Sequence, residues 1–455
     1  MSVTASRLGS APITLDWSNL VKGGSRPDVE ELAAAWSALR ARFASGEVGF
    51  YDAPTKNELS QAAECQGLAD SIRKKRQFRD CLFLGIGGSA LGPSSLLSAL
   101  KEKCTSGIRF HFMENPDPVE WKGTLSQLDP ETTLVCAVTK SGTTFETIAQ
   151  LLLAVEWLGK GRIQTHLIAI TDPANGDLKA FAQQEDIPTL HIAPAIGGRF
   201  SVFSPVGLFP AALAGLNVTD FLLGAKQVRD YMEKAALEKN PIFILAEELI
   251  RHYPTRPIHV CMPYSSRLRA IGSWFVQLWG ESLGKDGKGF TPLAAVGATD
   301  QHSILQLLRD GPDDKITFFI SVDRVDDEVK IPRTHPTKGQ ASFASFKLLE
   351  GHTLHQLLMT EYRATSLVLA KRNRPTLSLQ LDRLDERALG GLYFAFSCLT
   401  AVTGTLWKIN PFDQPGVEEG KVYIRQSLTQ GGAEARASAE IDENSPVARL
   451  RRESD

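Results

Sequence analysis

Residues 138–146, Val-Thr-Lys-Ser-Gly-Thr-Thr-Phe-Glu, gather four hydroxyls, a lysine and a glycine into nine positions. The run before them, 133–138, is apolar and β-branched, as a buried strand is. The run after them, 148–155, has helical spacing and strong helix formers. The nine residues therefore read as the turn from a strand into a helix. Such a turn aims backbone N–H groups and the positive end of a helix dipole at one point, and the guest it suits is an anion, phosphate above all. An ordinary helix cap also favours Ser and Thr, but one cap uses one hydroxyl.

A second turn of the same kind, Gly85-Ile-Gly-Gly-Ser-Ala90, follows the apolar run 81–86. It fits the alanine variant of the dinucleotide fingerprint, with Glu114 just past the next strand. No GxxxxGK[ST] loop is present, which weakens nucleoside triphosphate readings. Two anion-friendly turns at the carboxyl edge of one parallel sheet would lie side by side and grip one phosphate from two directions. The simpler reading is that the glycines only permit the bend.

Four further residues carry charge or proton chemistry. Glu281 stands where a long helix ends among Gly280, Gly284 and Trp279, a place where a ligand can come close. His302 begins a helix after Gly297-Ala-Thr-Asp-Gln301. Arg199 and Lys421 are each a single cation in a glycine-bearing turn. Taken one at a time, each is more often a solvated surface charge. HExxH, CxxC and GxSxG patterns are absent, and His352 and His355 lack an obvious third ligand, so zinc and serine-hydrolase readings are weak.

These residues need a large scaffold. The chain has 455 residues, and chains beyond about 300 usually split into domains. Strand-like runs at 81–86, 108–113, 133–138, 165–171 and 189–192 alternate with helices, the signature of a parallel α/β sheet. A second α/β unit has strands near 257–262, 293–296, 315–322 and 376–381, and helices at 269–283, 301–308, 350–372 and 384–407. The expected division is an N-terminal arm and helix at 1–55, a first α/β domain at 56–215, linking helices at 216–255, a second α/β domain at 256–408, and a C-terminal helix and tail at 409–455. Residues 1–27 read as a surface arm, 73–76 as a solvated basic run, 205–228 as one helix, and 430–455 as a loosely attached tail.

Hydrophobic residues make up 43% and charged residues 22%, with a net charge of −2. That balance gives no global pull toward nucleic acid or an anionic membrane, so an anion site must be local. None of the six cysteines forms a CxxC pair, which fits a reduced, intracellular protein. The N-terminus lacks a signal-peptide core, and no apolar run reaches the ~18 residues of a membrane span. A cytoplasmic protein is expected.

Six stretches together resemble one family, the glucose-6-phosphate (phosphoglucose) isomerases: 86–93 (IGGSALGP), 139–147 (TKSGTTFET), 197–204 (GGRFSVFS), 280–285 (GESLGK), 297–302 (GATDQH) and 412–421 (FDQPGVEEGK). They occur in the family's order, and the third and sixth are the most specific. The resemblance implies two sugar-isomerase (SIS) α/β domains, doubly wound parallel sheets with flanking helices. It implies interconversion of glucose 6-phosphate and fructose 6-phosphate through an enediol(ate), in glycolysis and gluconeogenesis, by a homodimer that needs no cofactor and no metal. By the same resemblance, Gly88, Ser89, Thr139, Ser141 and Thr144 would hold the phosphate, with Lys140 in the same loop. Glu281 would be the base, His302 would open the sugar ring from the other subunit, Lys421 would stand near the ring oxygen, and Arg199 would stabilise the enediolate. Gln277 and Gln414 would touch the ligand, and Glu146 would partner the histidine. Thr139 and Pro415 depart from the family's usual serine and bulky residue, and the chain is of the compact bacterial type. Alternatives are a bifunctional glucose/mannose 6-phosphate isomerase, a non-catalytic sugar-phosphate sensor, and an NAD-type oxidoreductase resting on the GxGxxA match alone.

Overall fold

The apolar runs become two sheets. In the first, β3 (Asp80–Leu84), β4 (Arg109–Met113), β5 (Thr133–Thr139), β6 (Leu167–Thr171) and β7 (Thr189–His191) lie in the order β4-β3-β5-β6-β7, all parallel. Every residue of β3, β5 and β6 is buried, as expected for strands with helices on both faces. The chain leaves β3 toward β4 and then returns to place β5 on the other side. The topological switch point therefore lies between β3 and β5, where ligands of doubly wound sheets sit. The two turns singled out by their glycines and hydroxyls leave these same two strands. The computed structural model describes residues 5–21, 27–56, 61–75, 77–333 and 343–429. The expected tail at 430–455 and Arg76 of the basic run lie outside them.

The second sheet runs β1-β2-β11-β10-β8-β9, with β8 (Ile258–Pro263), β9 (Thr291–Ala294), β10 (Lys315–Arg324) and β11 (Thr376–Arg383) parallel. Its remaining strands correct the reading of the N-terminus as a surface arm. Ala5–Arg7 (β1) and Ile13–Asp16 (β2) form an antiparallel hairpin, and β2 pairs antiparallel with β11. Ile13 and Leu15 point into the core while Thr14 and Asp16 are more open. Alternation over only four residues is too short to stand out as a strand pattern.

The single helix expected at 205–228 is two, Pro205–Ala214 and Val218–Lys234. Gly215 caps the first in the left-handed conformation, and Asn217 caps the second by accepting from the Asp220 N–H, a C-cap and N-cap placed back to back. Glu386–Leu406 is long and apolar enough to cross a membrane, contrary to the sequence reading, yet 89% of its apolar window is buried within the protein. It is a core helix. A Cβ on Gly390 would stand 1.8 Å from the Phe221 carbonyl oxygen, so this helix and Val218–Lys234 meet at backbone contact. Cys81, Cys136 and Cys261 are buried in their strands as free thiols.

By contact density the chain divides at Pro411. The later unit holds the helix Pro415–Thr429. Pro415 is its first residue, a position where proline's missing N–H and fixed φ are no handicap.

Candidate active site

β5 ends at Thr139, and the helix Phe145–Leu158 begins one residue after Thr144. Thr144 occupies the cap position, but its hydroxyl makes no cap bond to the helix backbone. The side chains bond to one another instead. Thr139 Oγ1 is 2.7 Å from Thr144 Oγ1, Ser141 Oγ is 3.4 Å from each, and the Thr143 N–H donates to Ser141 Oγ at 3.3 Å. The hydroxyls are thus gathered above a helix N-terminus whose first N–H groups they do not consume, which favours the anion cradle over the ordinary cap. The floor of the turn is tight. Thr171 donates to the Thr139 carbonyl at 2.7 Å, and a Cβ on Gly142, at φ +70°, would lie 2.8 Å from Gly176 Cα.

Lys140 takes a direction the sequence did not suggest. Its Nζ donates to the Pro194 carbonyl at 2.6 Å. Burial holds its pKa below the usual lysine value, opposed by the charge of Asp172. The side chain thereby ties the hydroxyl turn to the segment that leads into Arg199.

The glycine turn after β3 makes contacts that explain its glycines. A Cβ on Gly87 would come within 2.9 Å of the Gln277 side-chain nitrogen. One on Gly88 would stand 2.2 Å from the Gly198 carbonyl carbon, and Ser201 Oγ donates to the Gly88 carbonyl at 3.2 Å. The turn is packed against the 3-10 segment Gly198–Phe203 and the helix Arg269–Leu283. Ser89 is half-buried at its end. Glu114, the acid of the dinucleotide reading, is half-buried after β4. Burial first, then the nearby Glu120, push its carboxyl above the ordinary range against a hydrogen bond from Ser94.

Arg199 is only 3% exposed. Its Nε donates to Ser282 Oγ at 2.6 Å, one terminal nitrogen donates to the Pro411 carbonyl at 2.7 Å, and the other lies 3.4 Å from Glu281 Oε1. A buried guanidinium held at several points cannot swing, so its charge is fixed in space. Gln277 and Glu281 are four residues apart on one helix face, and the Gln277 Oε1 is buried without a hydrogen-bond partner among the described residues. Residues far apart in the sequence therefore meet here: Gly87 with Gln277, Gly88 with Gly198 and Arg199, and Arg199 with Glu281. Sequence reasoning missed Ser282 as a holder of Arg199. The available signal was a hydroxyl beside the candidate base in the last helical turn.

His302 and Glu146 are not brought together within this chain. His302 lies exposed in the first turn of Gln301–Asp310, and Glu146 is half-buried in the first turn of Phe145–Leu158. Neither side chain has an ion pair or hydrogen bond among the described residues. Lys421 and Gln414 belong to the unit after Pro411. There Lys421 is exposed and pairs with Glu418 at 2.7 Å.

The family model for phosphoglucose isomerase matches residues 71–445. The chain belongs to the phosphoglucose isomerase family. This isomerase is 40% identical over 426 residues to the glucose-6-phosphate isomerase of Rubrobacter xylanophilus, covering 90% of this chain and 96% of that protein. It is 40% identical over 376 residues to a glucose-6-phosphate isomerase of Thermus thermophilus, covering 79% of this chain and 88% of that one. Among solved structures, a hypothetical protein from Thermus thermophilus matches with a TM-score of 0.81 at 37% identity, over 87% of this chain and 94% of that one. The glucose-6-phosphate isomerase of Chlamydia trachomatis matches with a TM-score of 0.80 over 99% and 93%. At 23% identity that second likeness is one of fold alone. As a phosphoglucose isomerase, the protein is an aldose–ketose isomerase that interconverts glucose 6-phosphate and fructose 6-phosphate, a step of glycolysis.

Proposed function

We propose that Glu281 moves a proton between C2 and C1 of the open-chain sugar phosphate, and that Arg199 holds the charge of the enediolate that forms in between. The observation that carries this reading is the buried Arg199 guanidinium beside the Glu281 carboxylate. Aldose–ketose exchange reduces C1 and oxidises C2 within one molecule, so it balances without an outside electron acceptor. It needs a base in reach of both carbons and a fixed positive group where negative charge develops. A preorganised group of that kind is worth about 3–4 kcal/mol.

The phosphate is held away from the reacting carbons, by Thr139, Ser141 and Thr144 at the helix N-terminus and by Gly88 and Ser89 across the switch point. This grip fixes where C1 and C2 lie. Lys140 stands in the same loop and steadies it through Pro194. Gln277 contacts the sugar. The enzyme works in the cytosol as a homodimer, in which the partner subunit's His302 opens the ring, oriented by Glu146. The exposure of His302 on the single chain supports its use by a second copy. The testing experiment is turnover of Glu281→Gln on glucose 6-phosphate. A fall of about a thousandfold is expected, within the range for losing a positioned base, whereas turnover near that of the unaltered enzyme removes Glu281 from the role.

A further inference from the structure

His259 lies on β8, in register with Ile316 of β10 and Pro292 of β9, and is 0% exposed. Its ring stacks on Phe290, with centroids 4.0 Å apart and planes at 22°. The indole N–H of Trp279, itself 0% exposed, donates to His259 Nδ1 at 3.0 Å. An indole nitrogen can only donate, so Nδ1 must be the accepting nitrogen and the imidazole is neutral with its proton on Nε2. Burial, and then the charge of His252, agree by holding its pKa well below the ordinary histidine value. Nε2 is buried with no hydrogen-bond partner among the described residues. A polar group left so in a core is destabilising, and an all-phenylalanine pair at 259 and 279 would avoid that cost. A buried group unsatisfied on one side calls for a reason on the other.

The reason is what Trp279 is attached to. It stands two residues before Glu281 and three before Ser282, in the last turns of Arg269–Leu283. On the site face, that turn is held by Arg199, through Ser282 at 2.6 Å and Glu281 at 3.4 Å. On the core face, it is held by His259. The two grips act on opposite faces of the same turn and together oppose rotation of the helix end about its axis. Trp279 also packs against Phe275, Phe290 and Phe318, and the hydrogen bond adds a directional restraint that ring packing alone does not give to the turn carrying Glu281.

We propose that His259 is a positioning residue for the isomerisation, fixing the carboxylate of Glu281 through its hydrogen bond from Trp279. The inference rests on the assignment of Glu281 as the base. It makes no contact with substrate, so its loss should lower kcat and leave KM nearly alone.

The test uses the full-length enzyme in five variants, one of them the double His259→Phe/Trp279→Phe, with His259→Phe keeping the stacked ring but losing the acceptor. His259→Asn places an amide oxygen near the position of Nδ1. Trp279→Phe breaks the same bond from the other side, so it serves if His259→Phe fails to fold. Glu281→Gln reports separately on the underlying assignment. Loss of the bond is expected to lower kcat roughly tenfold with KM within about twofold, the pattern of an interaction made only in the transition state. His259→Asn should recover to within about threefold of the unaltered enzyme, and the double variant should lose no more than either single phenylalanine change. The inference is overturned if His259→Phe and His259→Asn both lower the melting temperature while kcat per folded enzyme stays unchanged, or if the two phenylalanine changes add. An active Glu281→Gln would instead overturn the assignment on which it depends.

Discussion

The Arg199 guanidinium reaches the Glu281 carboxylate at 3.4 Å while its Nε is tied to Ser282, the next residue on the same helix. One buried cation therefore both faces the candidate base and holds the helix turn that presents it. Its two neighbours are 82 and 83 residues away in sequence, and only the fold unites them.

Replacement of Arg199 by lysine tests whether the fork geometry matters beyond the charge. A lysine supplies one ammonium and cannot bond Ser282, Glu281 and the Pro411 carbonyl together. The expected outcome of Arg199→Lys is a fall in kcat of about a hundredfold or more, in line with loss of one oxyanion-type donor, with a much smaller change in KM. Steady-state kinetics on glucose 6-phosphate decide it.

The hydroxyl turn should govern binding rather than proton transfer. Thr144→Val keeps the shape of the side chain and removes a hydroxyl that sits 2.7 Å from Thr139 Oγ1. KM for fructose 6-phosphate should rise roughly tenfold, the effect of losing one hydrogen bond to a charged group, with kcat within a few-fold. Inorganic phosphate should lose potency as a competitive inhibitor by a similar factor. Equal inhibition of both forms would remove Thr144 from the phosphate grip.

At Gly88 the close approach is one of backbone to backbone. A Cβ there would meet Gly198 at 2.2 Å, and neither chain can yield as a flexible side chain would. Gly88→Ala should separate the glycine turn from the Arg199 segment, lowering stability by about 2 kcal/mol or more, as overpacking does, together with kcat. Thermal unfolding and turnover should fall in parallel. An alanine variant as stable as the unaltered protein would contradict the packing described.

At the N-terminal end of β3, Asp80 supplies a pH dependence. Burial raises its carboxyl, but hydrogen bonds from Arg109 and His111 outweigh that, and its pKa falls below the ordinary carboxylate value. A carboxylate depressed in the folded state binds protons more readily when unfolded, so its contribution is present above the unfolded pKa of about 3.9 and lost as pH drops through the folded one. Urea unfolding of Asp80→Asn should therefore show lower stability than the unaltered protein at pH 7 and a smaller further loss below pH 4. Parallel pH profiles would show that the contacts contribute nothing.

How far the sequence alone reached depended on range. The strand–turn–helix signals at 133–155 and 81–99 were legible because every cue is local, and they led to the switch point between β3 and β5. The α/β class followed from the same alternation. β1 and β2 were missed because their four or fewer residues carry too little pattern, and the pairing of β2 with β11 spans most of the chain. The break at Gly215 was missed because a single glycine inside an apolar helical run reads as tolerated. Glu281 and Arg199 could be singled out by their glycine-bearing surroundings, but their meeting could not be seen. Nor could the bonds of Lys140 to Pro194, Ser282 to Arg199 or Trp279 to His259, since each joins elements whose approach is set by tertiary packing.

The central claim is that Glu281 carries the proton between the two carbons. Its most direct test is isomerisation in D2O, followed by NMR of the deuterium entering C1 of fructose 6-phosphate. The unaltered enzyme should incorporate solvent deuterium during turnover. Glu281→Gln should still bind the sugar phosphate but incorporate deuterium about a thousandfold more slowly, the scale of a lost general base. Incorporation by Glu281→Gln within about tenfold of the unaltered rate would contradict the account.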